Sequence, residues 1–93
     1  MIVDLKGVIK KIYDVKQISP NLSVVDVVIT VDDLSKSPQD IIATLKNEKI
    51  DLIKGFEKET RVIGRCFLNG REKDGKYFIN LAMFDLVKHY QND

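Results

Sequence analysis

The run Lys58-Glu-Thr-Arg-Val-Ile-Gly-Arg-Cys-Phe-Leu-Asn-Gly-Arg71 is followed, after Glu72-Lys73-Asp74-Gly75, by Lys76-Tyr-Phe-Ile-Asn-Leu-Ala-Met-Phe-Asp-Leu-Val87. Each run alternates apolar and polar residues with the period of a β-strand. Asp74-Gly75 between them is a strong hairpin signal, because both residues of a two-residue loop take φ > 0. Asn69-Gly70 is a rival turn, but it would cut both alternating runs short.

With the turn at Asp74-Gly75, directly opposed residues have numbers summing to 149. One face then pairs Val62 with Val87, Cys66 with Met83 and Leu68 with Leu81. This face is almost wholly apolar and is the natural core side; only Asp85, opposite Gly64, is awkward there. The other face pairs Arg61 with Lys88, Arg65 with Phe84, Phe67 with Ala82, Asn69 with Asn80 and Arg71 with Phe78. Opposed Cβ atoms lie about 4.5–5.5 Å apart, so each arginine can reach its phenylalanine.

A surface of interleaved arginine, aromatic and amide side chains has a chemical use. A nucleobase stacks on an aromatic ring at about 1–3 kcal/mol per base. A guanidinium binds a phosphate in bidentate fashion, and Asn69 and Asn80 can reach base edges. Two other readings stand beside this one. An arginine stem can simply cover an exposed ring, and bent strands in a small barrel can turn Ile63, Phe84 and Leu86 into core. The face can also serve self-association.

Upstream, Leu22 to Val31 (Leu-Ser-Val-Val-Asp-Val-Val-Ile-Thr-Val) is rich in β-branched residues and reads as a strand. Asp4 to Ile18 reads as a strand whose parity shifts, as a bulge near Lys10-Lys11 would produce. Gly7 within it marks a bend, as at a barrel corner. Ser19-Pro20-Asn21 reads as a turn and Asp32–Ser37 as a polar loop. Residues 38–54 are ambiguous. Ser37-Pro38-Gln39-Asp40 has the form of a helix start. Ile41, Ile42, Leu45, Leu52 and Ile53 fit one helical face, and the local pattern slightly favours one long helix. Asp40 to Lys46 can also be a short strand, with Asn47 capping a two-turn helix that ends at Gly55.

The chain has 93 residues, 44% hydrophobic and 31% charged, which predicts one globular domain over 1–93. Such a domain buries only about 60–65% of its unfolded surface, leaving little room for a deep enzyme cavity. The net charge is +1, which excludes a strongly basic histone-like protein and an acidic mimic. The sum hides an asymmetry: residues 54–78 carry +3 and residues 21–53 carry −3, and all three arginines fall within eleven residues. One cysteine permits no internal disulfide, and neither a signal peptide nor a membrane-spanning run is legible. A cytoplasmic protein with no membrane contact is expected, in a host cytoplasm if phage-encoded.

At Leu52-Ile-Lys-Gly-Phe-Glu57, and at the hairpin Asn69-Gly-Arg-Glu-Lys-Asp-Gly-Lys-Tyr-Phe-Ile-Asn-Leu81, the chain resembles a known family. It is similar to the small OB-fold proteins of the single-stranded-DNA-binding type encoded by bacteria and their phages. In these, residues like Lys-Gly-Asp open the fourth strand. An Arg-Glu-x-x-Gly-Lys/Arg-Tyr/Trp-Tyr/Phe-x-Asp/Asn-Val/Leu hairpin then joins it to the fifth. Asp4-Leu-Lys-Gly-Val-Ile9 resembles their first strand. The likeness covers most of the chain and is sharp over 52–84.

The resemblance implies an all-β, five-stranded Greek-key barrel with one short helix between strands three and four. That favours residues 40–46 as strand three and 47–54 as the helix. It also implies that an oligonucleotide crosses strands two and three and two loops, here about 16–21 and 70–76, where Lys16, Arg71, Lys73 and Lys76 sit. Two departures stand out. The family usually places a Trp near the hairpin, and Tyr77, Phe78 and Phe84 occupy those places here. The closing His89-Tyr90-Gln91-Asn92-Asp93 has no acidic run of the kind that recruits partners.

The remaining chemistry is sparse. His89 has no metal-ligand neighbours at useful spacing, Cys66 falls on the core face, and no catalytic set is present. The expectation is a non-enzymatic protein without cofactor or metal that binds single-stranded DNA with little sequence preference, in replication, recombination or repair. Arg61, Arg65 and Arg71 would hold phosphates, Phe67, Phe78 and Phe84 would stack bases, Asn80 would meet a base edge, and Lys16, Lys73 and Lys76 would line the path. RNA is an alternative ligand. A protein-interaction module or homo-oligomeric subunit is the alternative class.

Overall fold

The computed structural model describes residues 1–31 and 36–89. Strand β1 (Ile2–Ile12) holds Leu5, Gly7 and Ile9 on its buried side, and its register shifts between Ile9 and Lys11 at the expected bulge. The chain leaves the ladder after Tyr13 donates its N–H to the Asp26 carbonyl at 2.9 Å. The first strand therefore does not run on to Ile18. Instead β2 (Lys16–Ser19) forms a separate short edge strand, turning at Pro20–Asn21 into β3 (Leu22–Val31).

Residues 38–54 resolve into β4 (Gln39–Lys46) and a 3-10 helix (Asn47–Ile53). The helix-start signal at Ser37–Asp40 is overridden by tertiary partners. Asp40 caps nothing; its carboxylate accepts from Lys10 Nζ at 2.6 Å and Thr30 Oγ1 at 2.8 Å. Those two bonds hold its carboxyl below the ordinary carboxylate value and tie β4 to β1 and β3. Asn47 is not a cap either. It sits at φ 50°, and its Oδ1 accepts from the Ser23 N–H at 3.0 Å. Gly55, at φ 85°, follows the helix where a left-handed residue is needed. The expected loop at 32–37 lies mostly outside the described residues, as does Tyr90–Asp93.

The hairpin is built from β5 (Arg61–Lys73) and β6 (Lys76–Lys88), with Asp74 at φ 53° and Gly75 at φ 78° in its turn. From Lys73–Lys76 to Cys66–Met83 the pairing is the expected one. Below Cys66 it slips by one residue, and Phe84 is the extra residue of a bulge. Four expected pairs, Val62–Val87, Arg61–Lys88, Arg65–Phe84 and Gly64–Asp85, are therefore replaced. Val62 opposes Lys88, Arg65 opposes Asp85, and Gly64 opposes Leu86 rather than Asp85. The physical reason is the core. An unbroken register would point Asp85 inward; the bulge turns it out and buries Leu86 in its place.

The sheet order is β1-β5-β6-β4-β3-β2, and β1 also pairs with β3, so five strands close into the expected Greek-key barrel. β4 and β6 meet in parallel at Thr44 and Ala82. Ile9, Val27, Ile29, Leu45, Val62 and Cys66 fill the centre, and Ile50, Leu52, Ile53 and Phe56 close one end. At the other end β5 and β6 run past the barrel as a two-stranded arm, with residues 69–80 exposed throughout. The radius of gyration is 13.9 Å, above the value of about 12 Å for a compact chain of this length, and the arm accounts for the excess.

Closure depends on Gly7, which pairs with both Val62 and Val31. A Cβ there would lie 1.9 Å from the Thr30 carbonyl oxygen, whereas one at Gly64 would meet the mobile end of Met83 at 2.9 Å. Gly7→Ala is expected to cost about 3 kcal/mol because backbone must move, and Gly64→Ala under about 1.5 kcal/mol. Urea unfolding of both variants checks the ranking; equal costs would refute it.

Burial, with a smaller contribution from the Asp4 charge, pushes the Cys66 thiol up to about 11. Native Cys66 should resist a chromogenic disulfide reagent at pH 8 and react once the chain unfolds. An unfolded thiol ionises near pH 8.5. Stability should therefore fall as pH rises from about 8.5 towards 11, because the native state holds the proton longer.

Candidate nucleic-acid interface

The outer side of the barrel continues without a break onto the arm. On β5 it presents Arg65, Phe67, Asn69, Arg71 and Lys73; on β6 it presents Lys76, Phe78, Asn80, Ala82 and the bulged Phe84. β4 adds Thr44 and Lys46, and the register Lys16–Val24–Lys46 extends the same face through β3 to β2.

Phe67 and Phe84 stack on each other, with ring centroids 4.4 Å apart and planes 26° from parallel. Ala82, opposite Phe67, leaves the space, and the bulge aims Phe84 into it. Phe67 remains 45% exposed, so the pair forms a two-ring platform open on its outer side. Phe78, on the arm, is 48% exposed. Two grooves meet along this surface. One, of about 440 Å³, is lined by Lys46, Asn69, Gly70, Arg71, Phe78 and Asn80. The other, of about 260 Å³, lies over Thr44, Phe67, Ala82 and Phe84 and is bordered by Lys46, Glu48 and Lys49.

The arginines are not a cluster. Arg61 and Arg71 are ten residues apart on one strand, roughly 33 Å at about 3.3 Å per residue. Arg65, midway, gives its Nε to Asp4 Oδ1 at 3.0 Å and stands opposite Asp85. Neither Arg65 nor Arg71 lies over a phenylalanine; the cation–π contact among the described residues is Lys11 over Tyr13, at 4.4 Å. Arg61, at the far end of β5, is half-buried. Arg71, Lys73, Lys76 and Lys46, by contrast, have no ion-pair partner among the described residues. Lys73 and Lys76 directly oppose each other at the tip, a like-charge pairing that is unfavourable without an anion nearby.

Of the residues expected to form the site, Phe67, Arg71, Lys73, Lys76, Phe78, Asn80 and Phe84 share this face, and Lys16 reaches it from β2. Arg65 shares it but is engaged by a carboxylate, and Arg61 is remote from the arm. Lys46, Thr44 and Lys49 were not expected. The alternation Ile42-x-Thr44-x-Lys46 already placed two of them on one side of β4. Adding them required knowing that β4 lies beside β6.

No protein-family model matches the chain, and no curated protein matches it in sequence. Solved structures do match. Rim1, a mitochondrial single-stranded DNA-binding protein of S. cerevisiae, superposes with TM-score 0.79 over 95% of this chain and 94% of its own, at 13% identity. The N-terminal domain of PriB from Thermoanaerobacter tencongensis, solved as a dimer, gives TM-score 0.70 over 97% of each chain at 17% identity. The fold is the OB fold. At these identities the likeness is one of fold, and the OB barrel's use here rests on the face just described.

Proposed function

We propose that this OB-fold protein binds single-stranded DNA through the outer face of β4, β5 and β6, without an enzymatic reaction. The role would lie in DNA replication, recombination or repair in the cytoplasm. The observation that carries this is the set Lys46, Arg71, Lys73 and Lys76, without ion-pair partners among the described residues, interleaved with Phe78 and the Phe67–Phe84 platform. Cations alone would suit any polyanion. Cations spaced between exposed rings suit a strand whose bases are free to stack. Fold likeness to Rim1 agrees with this reading.

Anisotropy of a labelled dT oligonucleotide tests it. Roughly four phosphate contacts predict about a 50-fold loss of affinity between 50 and 200 mM salt, from the single-strand slope of about −0.7 per contact. Arg71→Ala should weaken binding and flatten that slope. Arg65→Ala should do less, since its guanidinium is held by Asp4. No binding at micromolar protein in 50 mM salt would sink the proposal. An RNA strand of equal length reports the alternative ligand.

A second reading concerns the arm's other face. There Leu68–Leu81 continues as Gly70–Ile79 and Glu72–Tyr77, with Ile79 79% and Tyr77 80% exposed. A concavity of about 430 Å³ beside it is lined by Val3, Leu5, Val31, Ile41, Leu68 and Leu81, with Asp4 and Lys6 as its charged members. Such a surface suits a second copy of this chain. Light scattering should then give a mass above one chain at high salt, and Ile79→Glu should return it to a monomer. A monomeric wild-type chain at 100 μM would remove this reading and leave the DNA-binding one intact.

A further inference from the structure

The 440 Å³ groove at the root of the arm differs from the rest of the face in carrying two neutral amides. Asn69 and Asn80 are directly opposed, one on each strand of the hairpin. Both are exposed, and neither side chain forms a hydrogen bond among the described residues. Arg71 and Phe78 form the next pair on the same face towards the tip, and Gly70 and Lys46 complete the lining. The volume falls within the range of ligand pockets, about 300–1,000 Å³, which suits one nucleotide rather than a longer segment.

Resting on the single-strand reading above, we propose that this groove is a base-edge subsite. One nucleotide stacks on Phe78 with its phosphate at Arg71 or Lys46, and its Watson–Crick edge meets Asn69 and Asn80. The chemistry separates base from backbone. Each asparagine offers two N–H donors and one carbonyl acceptor. A DNA phosphodiester can take the donors but has no hydrogen to give the two carbonyls, and an internal deoxyribose has none either. Only the base supplies donor and acceptor side by side. An edge so engaged is occupied in a duplex, so the subsite selects single strands by hydrogen bonding as well as by stacking. Either amide can present donor or acceptor by rotating, so the site accepts different bases while still requiring an edge.

The test is the same anisotropy titration with two oligonucleotides of equal length, one of dT and one of N3-methylthymidine. The methyl group blocks the edge and leaves ring and phosphates in place. Wild type should bind the methylated strand about tenfold more weakly, the lower end expected for a bidentate base contact. The double variant Asn69→Ala, Asn80→Ala should bind both strands alike, near the wild-type affinity for the methylated one, with an unchanged salt slope. Equal wild-type affinity for the two strands would overturn the base-edge subsite and leave single-strand binding standing. A methyl penalty retained in a folded double variant would overturn the assignment to these asparagines. Failure to bind either strand would instead remove the reading on which the subsite rests.

Discussion

The barrel exists because one strand serves two neighbours. β1 pairs with β5 through Val8 and with β3 from Gly7 onward, so residues 7 and 8 are shared by both ladders. A strand crossing between ladders must bend sharply, and at Gly7 the Thr30 carbonyl oxygen takes the space of a side chain. The bulge beside Lys10 completes the bend and returns Ile12 to the core side. Everything that presents the outer face follows from this closure. With β1 linking β3 to β5, β4 and β6 are brought edge to edge in parallel, and Lys46 arrives beside a hairpin distant from it in sequence.

The bulge at Phe84 does comparable work on the other side of the barrel. It solves a conflict between a carboxylate and the core by turning Asp85 out and Leu86 in. The same shift releases Phe84 from the position opposite Arg65 and allows it to stack on Phe67. Arg65 is left between Asp4 and Asp85. One local irregularity thus converts an alternating arginine–phenylalanine surface into two regions. Near the barrel, rings meet rings and charges meet charges; on the arm, rings and cations stand open.

This division explains what was legible in the sequence. The turn at Asp74-Gly75, the β3 strand and the apolar parity of Cys66 and Leu68 depend on neighbours close in the chain, and they read correctly. The register below Cys66 did not, although its warning was visible: Asp85 opposite Gly64 had no place in a core. Residues 38–54 form β4 and a 3-10 helix, yet they lean locally towards one long helix because the helix-start pattern at Ser37–Asp40 is real. Its acid was recruited instead by Lys10 and Thr30, thirty and ten residues away. The fate of Arg65 was likewise hidden, since Asp4 is sixty-one residues distant. The candidate site was therefore legible on the hairpin, and illegible wherever a third strand contributes a partner.

The net charge is a poor guide to what this surface attracts. Charges separated by more than a Debye length, about 8–10 Å at moderate salt, scarcely cancel one another. Arg71 lies six residues beyond Arg65 on β5, roughly 20 Å at about 3.3 Å per residue. The carboxylates of Asp4 and Asp85 are thus remote from the tip, and Glu72 lies on the opposite face of the arm, paired with Tyr77. An approaching polyanion meets the local sum of Lys46, Arg71, Lys73 and Lys76, moderated by Asp74 in the turn and Glu48 beside Lys46, and not the +1 of the whole chain. Exposed Phe78 lies on the same arm, and the amides of Asn69 and Asn80, which form no hydrogen bond among the described residues, stand at its root.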